Sequence, residues 1–320
     1  MESIPASSKK FKAAPAAATL PDDILARLPA KSLRRFQCVS RPWRGLITSP
    51  SFRSLHSTKA GRRDRRLFVR PAGYCESFYA CRPQQPAGSP VEEILSWSQF
   101  TQGNVFPVSK SCHGLVLLRC ADYDTHHVWN PSTWEVLTLP DRIPFRAAGR
   151  KPRTFVSYGM GYCSTTNEYK AVRMYCLDEP HSTTVCEVFT LDKSTHWRPA
   201  AMEPDHAFRL RVRGSQGAVL CNGNLHFVGQ DGTIATFNVT DETFGTVLMP
   251  PSDLRYGGRF DLTELDGCLC VYFSSQINPT PGDPYRIWLL RDYAADGCWE
   301  ELRCIDWGAM TDVELAAVKS

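Results

Sequence analysis

Hydrophobic positions in this chain change their period near residue 66. Before it, apolar residues recur three and four apart between helix start and stop signals. Pro21 and Asp22 open a first helix, and Leu28-Pro29 closes it. Ser32 to Val39 predicts a second helix, with Leu33, Phe36 and Val39 on one stripe. Ser40 caps a third, Pro42 sits in its first turn where a missing N–H costs nothing, and Ser49-Pro50 stops it. Trp43, Leu46 and Ile47 line the apolar side of that helix. Three short helices bury little by themselves, so their apolar stripe calls for a partner.

From Leu67 onward the pattern becomes short apolar runs separated by turn signals, as strands and turns require. Examples are "GLVLLRC" (114–120), "EVFTL" (187–191), "NLHFVG" (224–229), "CLCVYF" (268–273) and "RIWLL" (286–290). Several are apolar on both faces, as in strands sandwiched between neighbouring sheets. The runs repeat. "CHGLVLL", "CNGNLHF" and "LDGCLCV" each carry a Gly before a strand and are followed by a second strand with a polar turn: "HVWNPSTWEVLTLP", "IATFNVTDETFGTVLMP" and "RIWLLRDYAADGCWEEL". A related unit, "YGMGYCSTTNEYKAVRMY" with "TTVCEVFTLDKSTHWRP", lies between the first and second. Taking Gly114, Gly161, Gly223 and Gly267 as markers gives spacings of 47, 62 and 44 residues. Units of that size predict propeller blades, which bury by stacking the faces that one blade alone would expose.

The organisation that follows is a polar tail over 1–19, a helical head over 20–58, a charged joint "KAGRRDRR" over 59–66, a β domain over 67–310 and a C-terminal tail over 311–320. The expected fold class is a small all-α head followed by an all-β, propeller-like domain of repeated antiparallel blades, incomplete at its C-terminal end.

Composition narrows the function classes. Twenty-one Gly and 23 Pro in 320 residues fit many turns. A net charge of +4 does not argue for nucleic acid, and no run approaches the length of a membrane span. Thirteen cysteines, an odd count without a secretory signal, point to free buried thiols in the cytoplasm or nucleus. No C-x-x-C occurs, which disfavours zinc, and no G-x-S-x-G, H-E-x-x-H or phosphate-binding Gly loop is present. Asp122, Asp124, His126 and His127 crowd one short stretch, where a hairpin turn between two strands explains them better than a metal. Neither a cofactor nor a metal is expected. A propeller hydrolase would need two placed carboxylates, which spacing alone does not decide.

Two basic segments stand out. "DRIPFRAAGRKPR" (141–153) includes Arg150 and Arg153, and "RLRVR" alternates Arg209, Arg211 and Arg213 on one strand face. Such runs usually mark a solvated surface. The sharper reading is a site for an acidic or phosphorylated signal, because guanidinium pairs well with both.

"LPDDILARLPAKSLRRFQCVSRPWRGLITSPSFRSLH" resembles an F-box, the helical module that docks on a Skp-family adaptor in Skp–cullin–F-box ubiquitin ligases. "SCHGLVLL", "VWNPST", "NEYKAV", "CEVFTL", "CNGNLHF" and "LDGCLCV", in that order, resemble the F-box-associated domain of the large plant family. The resemblance implies a non-catalytic substrate receptor, with the adaptor and through it cullin as partners, and a target protein on the β domain. Tethering would then raise the target's effective concentration at a ubiquitin-loaded enzyme. Carried over from the F-box, the adaptor-facing set is Leu20, Pro21, Ile24, Leu25, Leu28 and Pro29, then Leu33, Phe36, Val39, Trp43, Leu46 and Ile47. Within it, Phe36 and Trp43 are expected to be partly internal. The chain departs from the F-box pattern in its first helix, which has only "ILA" between Asp23 and Arg27 and falls about one helical turn short. A loss of that size is expected to leave Ile24, Leu25 and Leu28 facing one way. The alternative to a receptor is a lectin-like β-propeller binding module, or a hydrolase, with no ligase role.

Overall fold

The computed structural model describes residues 22–60, 67–69, 77–81, 92–96, 105–120, 125–140, 154–177, 183–211, 217–250, 259–274, 284–292 and 298–306. The chain divides into two compact units, one holding the helical head with Leu67–Phe68 and residues 80–91, the other the rest of the β body. The head contains α1 (Asp22–Leu25), α2 (Ala30–Phe36), α3 (Arg41–Thr48) and α4 (Pro50–Ala60). Ser40 caps α3 as expected, its Oγ accepting from Trp43 N–H at 3.3 Å.

The fourth helix was not expected, and Ser49 explains it. Its hydroxyl donates to the Leu46 carbonyl at 2.7 Å, finishing α3, and accepts from Phe52 N–H at 3.3 Å, starting α4. Pro50 then occupies the first turn of the new helix, where proline is tolerated. The same Ser-Pro pair is thus both a stop and a start. Lys59 and Ala60 belong to α4 and not to the charged joint.

Leu25, Ala26, Leu33, Ile47 and Phe52 form the head's own core, with Leu28, Phe36, Trp43, Leu46 and Leu55 packed around it. The Phe36 and Trp43 rings meet at 5.2 Å. Two sequence expectations need correcting. Ile24 is 47% exposed while Leu25 is fully buried, because successive helical residues are about 100° apart and cannot share a face. Val39 is 66% exposed and leaves the Leu33–Phe36 stripe, because α2 ends at Phe36.

The β body contains β1 (Leu67–Val69), β2 (Ser77–Cys81) and β3 (Glu92–Ser96), which form a three-stranded sheet. Four four-stranded sheets follow, each an antiparallel meander in chain order. The second sheet is β4 (Val105–Pro107), β5 (Val116–Cys120), β6 (Thr125–Asn130) and β7 (Glu135–Thr138). The third is β8 (Thr154–Cys163), β9 (Glu168–Leu177), β10 (Val185–Thr190) and β11 (Arg198–Pro199). The fourth is β12 (Val219–Cys221), β13 (Asn224–Val228), β14 (Ile234–Asn238) and β15 (Phe244–Val247). The fifth is β16 (Arg259–Leu265), β17 (Cys268–Ser274), β18 (Pro284–Asp292) and β19 (Cys298–Asp306). These are the four repeat units read from the sequence, and the β body is propeller-like.

Turn chemistry sets the register. His113-Gly114, Asn222-Gly223 and Asp266-Gly267 have positive φ at both residues, the primed turn that matches strand twist in a two-residue hairpin. The last hairpin of the second, third and fourth sheets uses a longer loop whose αL residue is Trp134, Asp192 or Glu242. Asn130 and Asn238 stabilise two of these loops, each side-chain oxygen accepting N–H groups two and three residues on. Gly161 does not belong with the turn glycines: it lies inside β8, where an added Cβ would meet Val239 Cγ2 at 2.5 Å. Its role is close approach of the third sheet to the fourth.

The core lies between sheets. Leu117 and Val128 meet Tyr158, Met160 and Phe189 between the second and third. Val172, Met174 and Val188 meet Leu225, Phe227 and Phe237 between the third and fourth. Ile234 and Val247 meet Leu269, Val271 and Leu290 between the fourth and fifth. Phe78 packs on Trp129 between the first and second, ring centroids 6.2 Å apart. The chain after Asp306, on which completeness of the ring depends, lies outside the described residues.

Candidate functional site

Two surfaces are candidates, one on each unit. On the head, the apolar residues carried over from the F-box separate by burial. Leu25, Leu33 and Ile47 are interior, packed in the head's own core. Leu28, Phe36, Trp43 and Leu46 are half-buried against that core. Pro29, Ile24 and Val39 are exposed; Leu20 and Pro21 lie outside the described residues. Val39 lines a surface groove together with Arg34, Gln37, Cys38, Ser40, Arg41 and Arg44. The head is strongly basic, with eight Lys and Arg against two Asp over 22–60. An apolar side chain ringed by guanidinium groups suits an apolar partner socket edged with carboxylates.

On the β body, the first strands of three sheets (β8, β12 and β16) and the segment 108–110 that follows β4 border a cavity of about 160 Å³. Its walls include Val108, Val156, Leu210, Leu220 and Leu262, with Ser109, Ser157 and Thr263 among the polar residues. Lys110 and Arg211 also line it. Lys110 Nζ pairs with Glu264 Oε2 at 3.2 Å, and Glu264 also accepts from Gly267 N–H at 2.7 Å. Arg211 lies over the Phe260 ring, 4.0 Å from its centroid, and donates to the Phe260 carbonyl.

Of the basic run, the two described arginines go to different partners. Leu210 forms an isolated bridge to Gly229; Arg211 goes to the cavity, while Arg209 turns back to the carbonyls of His206 and Phe208. Arg150, Arg153 and Arg213 lie outside the described residues. Sequence reasoning did not single out Lys110.

It also missed a buried ionic cluster joining the third and fourth sheets. Lys170 on β9 donates to Glu242 Oε1 at 2.9 Å and to the Val239 carbonyl at 2.8 Å. Arg198 grips both Glu242 oxygens, and Ala201 N–H adds a fourth donor. Burial pushes the Glu242 carboxyl up, but the bonds from Arg198 and Lys170 outweigh it and hold its pKa at about 2. Arg173 on β9 pairs with Glu187 on β10, and its guanidinium stacks over Trp197. Lys170 and Arg173 inside the otherwise largely apolar "YKAVRMY" were the available signal, because a charge in a strand buried on both faces must be paired.

His126 and His127 are neighbours on β6 and therefore point to opposite faces. His126 stacks on Tyr158 at 3.6 Å, and His127 sits between the hydroxyls of Thr125 and Thr138. Among the described residues no group of three His, Cys, Asp or Glu side chains could hold a metal ion. Ten of the described cysteines are free thiols, seven of them buried.

Comparison with known proteins supplies the family. The F-box domain model matches residues 22–55, and the F-box associated beta propeller domain model matches residues 66–312. Arabidopsis thaliana F-box protein CPR1 is 27% identical over 318 residues, covering 89% of this chain and 72% of the relative. A second Arabidopsis F-box protein is 28% identical over 84% of this chain, which spans 63% of that relative, less than two thirds of its length. An Arabidopsis F-box/kelch-repeat protein is 24% identical, with 89% and 78% covered. Among solved structures, the six-bladed β-propeller Aleuria aurantia lectin is similar at a TM-score of 0.34 and 11% identity over 74% of each chain, too distant to carry an argument. With a helical F-box head and four repeated sheets under those two models, this chain belongs to the plant F-box proteins that carry an F-box-associated β-propeller domain.

Proposed function

We propose that the protein is the substrate-recognition subunit of a Skp–cullin–F-box ubiquitin ligase. The head docks on the Skp-family adaptor, which connects it to cullin, and the β body holds a target protein. The observation that carries this reading is the pairing of an F-box head with an F-box-associated propeller in one chain. The exposed Ile24 and Val39, set in a basic surface, give the head an apolar contact that its own core does not use. In this reading the chain performs no chemistry: it raises the concentration of a target near a ubiquitin-loaded enzyme. A cytoplasmic or nuclear location belongs to the same reading.

The test is affinity purification of the full chain with the proteasome inhibited. The wild type should bring down a Skp-family adaptor and cullin. An Ile24→Asp/Val39→Asp variant should lose both while keeping proteins held by the β body. Adaptor recovery equal to background from the wild type would refute the receptor role.

A further inference from the structure

We infer that the cavity bordered by β8, β12, β16 and the segment 108–110 seats one aliphatic side chain of a target peptide, with an acidic neighbour of that side chain placed against Lys110. This rests on the reading of the chain as a target receptor and names the chemistry its β body recognises.

Size decides first. A cavity of about 160 Å³ is close to the roughly 150 Å³ void that takes one benzene, and well below the roughly 300–1,000 Å³ of small-molecule sites. It fits a Leu, Ile, Val or Met side chain and is too small for a nucleotide or cofactor. Lining decides next. Val108, Val156, Leu210, Leu220 and Leu262 give an aliphatic wall, and no aromatic ring lines the cavity among the described residues. A hydrocarbon side chain gains by leaving water for such a wall.

Charge fixes the neighbour. Among the described residues, the ionised side chains lining the cavity are both cationic, Lys110 and Arg211. The Lys110 side chain is 60% exposed; its ammonium donates to both the carboxylate and the backbone carbonyl of Glu264, which still leaves one N–H, and the ion pair is a surface pair of the weakly held kind. A peptide carboxylate can therefore take over that ammonium, while Glu264 keeps its bond from Gly267 N–H. β8, β12 and β16 are each the first strand of their meander, paired within their sheet on one side only. Along this edge the Tyr158 carbonyl is taken by Ala218 N–H, while β16 has no partner strand on that side among the described residues. A peptide main chain can be read along such an edge, with the pocket supplying specificity.

The experiment screens a displayed library of random peptides against the full chain purified with its Skp-family adaptor. Two variants run beside the wild type: Thr263→Phe, which fills the cavity from the fifth sheet, and Lys110→Glu, which inverts its charge. Enriched peptides should pair Leu, Ile, Val or Met with Asp or Glu one or two residues away. Thr263→Phe should lower their capture by about tenfold to a hundredfold, the worth of burying one such side chain. Lys110→Glu, an exposed change that folding tolerates, should retain the aliphatic preference and lose the acidic one. Adaptor recovery, scored in each preparation, reports separately on the receptor reading. No enrichment, enrichment without the aliphatic–acidic pair, capture unchanged in both variants, or binding of a monosaccharide panel in place of peptides would each overturn the assignment.

Discussion

Lys170 and Glu242, 72 residues apart in sequence, form a buried ion pair at 2.9 Å that joins the third sheet to the fourth. Their side chains are 7% and 6% exposed, so removing one partner strands a charge away from water. Glu242→Gln should cost about 3–5 kcal/mol, the range for breaking a buried pair from one side. Lys170→Met with Glu242→Gln should recover much of that loss, since Arg198 is 43% exposed and can turn to solvent. Urea melts of the two single variants and the double variant give the comparison; additive losses would mean the pair is not coupled.

The same carboxylate predicts an acid limit. Glu242 titrates at about 2 in the folded protein against an ordinary value of 4.5. A depressed folded pKa means that its stabilisation is complete above about pH 4.5 and is lost as the pH falls toward 2. Melting temperature should therefore fall more steeply with acid in the wild type than in the Lys170→Met/Glu242→Gln variant. Parallel profiles from pH 5 to pH 2 would remove Glu242 as a cause.

Gly161 allows no side chain. An added Cβ would lie 2.5 Å from Val239 Cγ2 and 3.3 Å from Val239 Cβ, and the branched valine is 1% exposed with little room to retreat. Gly161→Ala should destabilise the β body by about 1–3 kcal/mol, as overpacking does. Val239→Ala on the same chain should return part of it, and equilibrium denaturation of both measures the rescue.

Much of this was legible in the sequence because the relevant signals are local. Asn222-Gly223 and Asp266-Gly267 declare hairpins, and the apolar runs around them declare strands buried on both faces. The failures are equally physical. Ser49-Pro50 ends one helix and begins another, and a stop signal alone does not reveal the restart. Val39 keeps the spacing of a core stripe but follows the last turn of α2, where spacing no longer fixes direction. Lys110 reaches Glu264 across 154 residues, and no local pattern reports such a meeting.

The head should separate core from surface in mutation. Leu33 is 4% exposed within the head's core, so Leu33→Ala should lower stability by about 2–5 kcal/mol. Val39, 66% exposed, should tolerate Val39→Asp with little change in melting. Adaptor affinity should fall by about tenfold to a hundredfold for Val39→Asp, the worth of one buried valine contact. Calorimetric titration with a Skp-family adaptor supplies the number. Full affinity in Val39→Asp would move the docking face elsewhere on the head.

The first helix sets how tightly the head can hold its adaptor. At four residues, α1 is one turn long, and of its two aliphatic side chains Leu25 is committed to the head's core. Ile24 alone from that turn is offered outward. Inserting Glu-Glu-Ile-Leu after Leu25 adds about one turn, shifting helical phase by only about 40°. That offers two further aliphatic side chains, each worth roughly 1.5–3 kcal/mol when fully buried. Partial burial at an interface realises less, so the inserted chain should bind the Skp-family adaptor about tenfold to a hundredfold more tightly. Melting of the β body should not change, since the insertion lies within the head. The measurement is a titration of the adaptor against both chains at one ionic strength, because the head's basic surface makes affinity salt-dependent. Equal affinities would show that the first helix does not touch the partner, leaving Val39 and its neighbouring arginines to carry the contact.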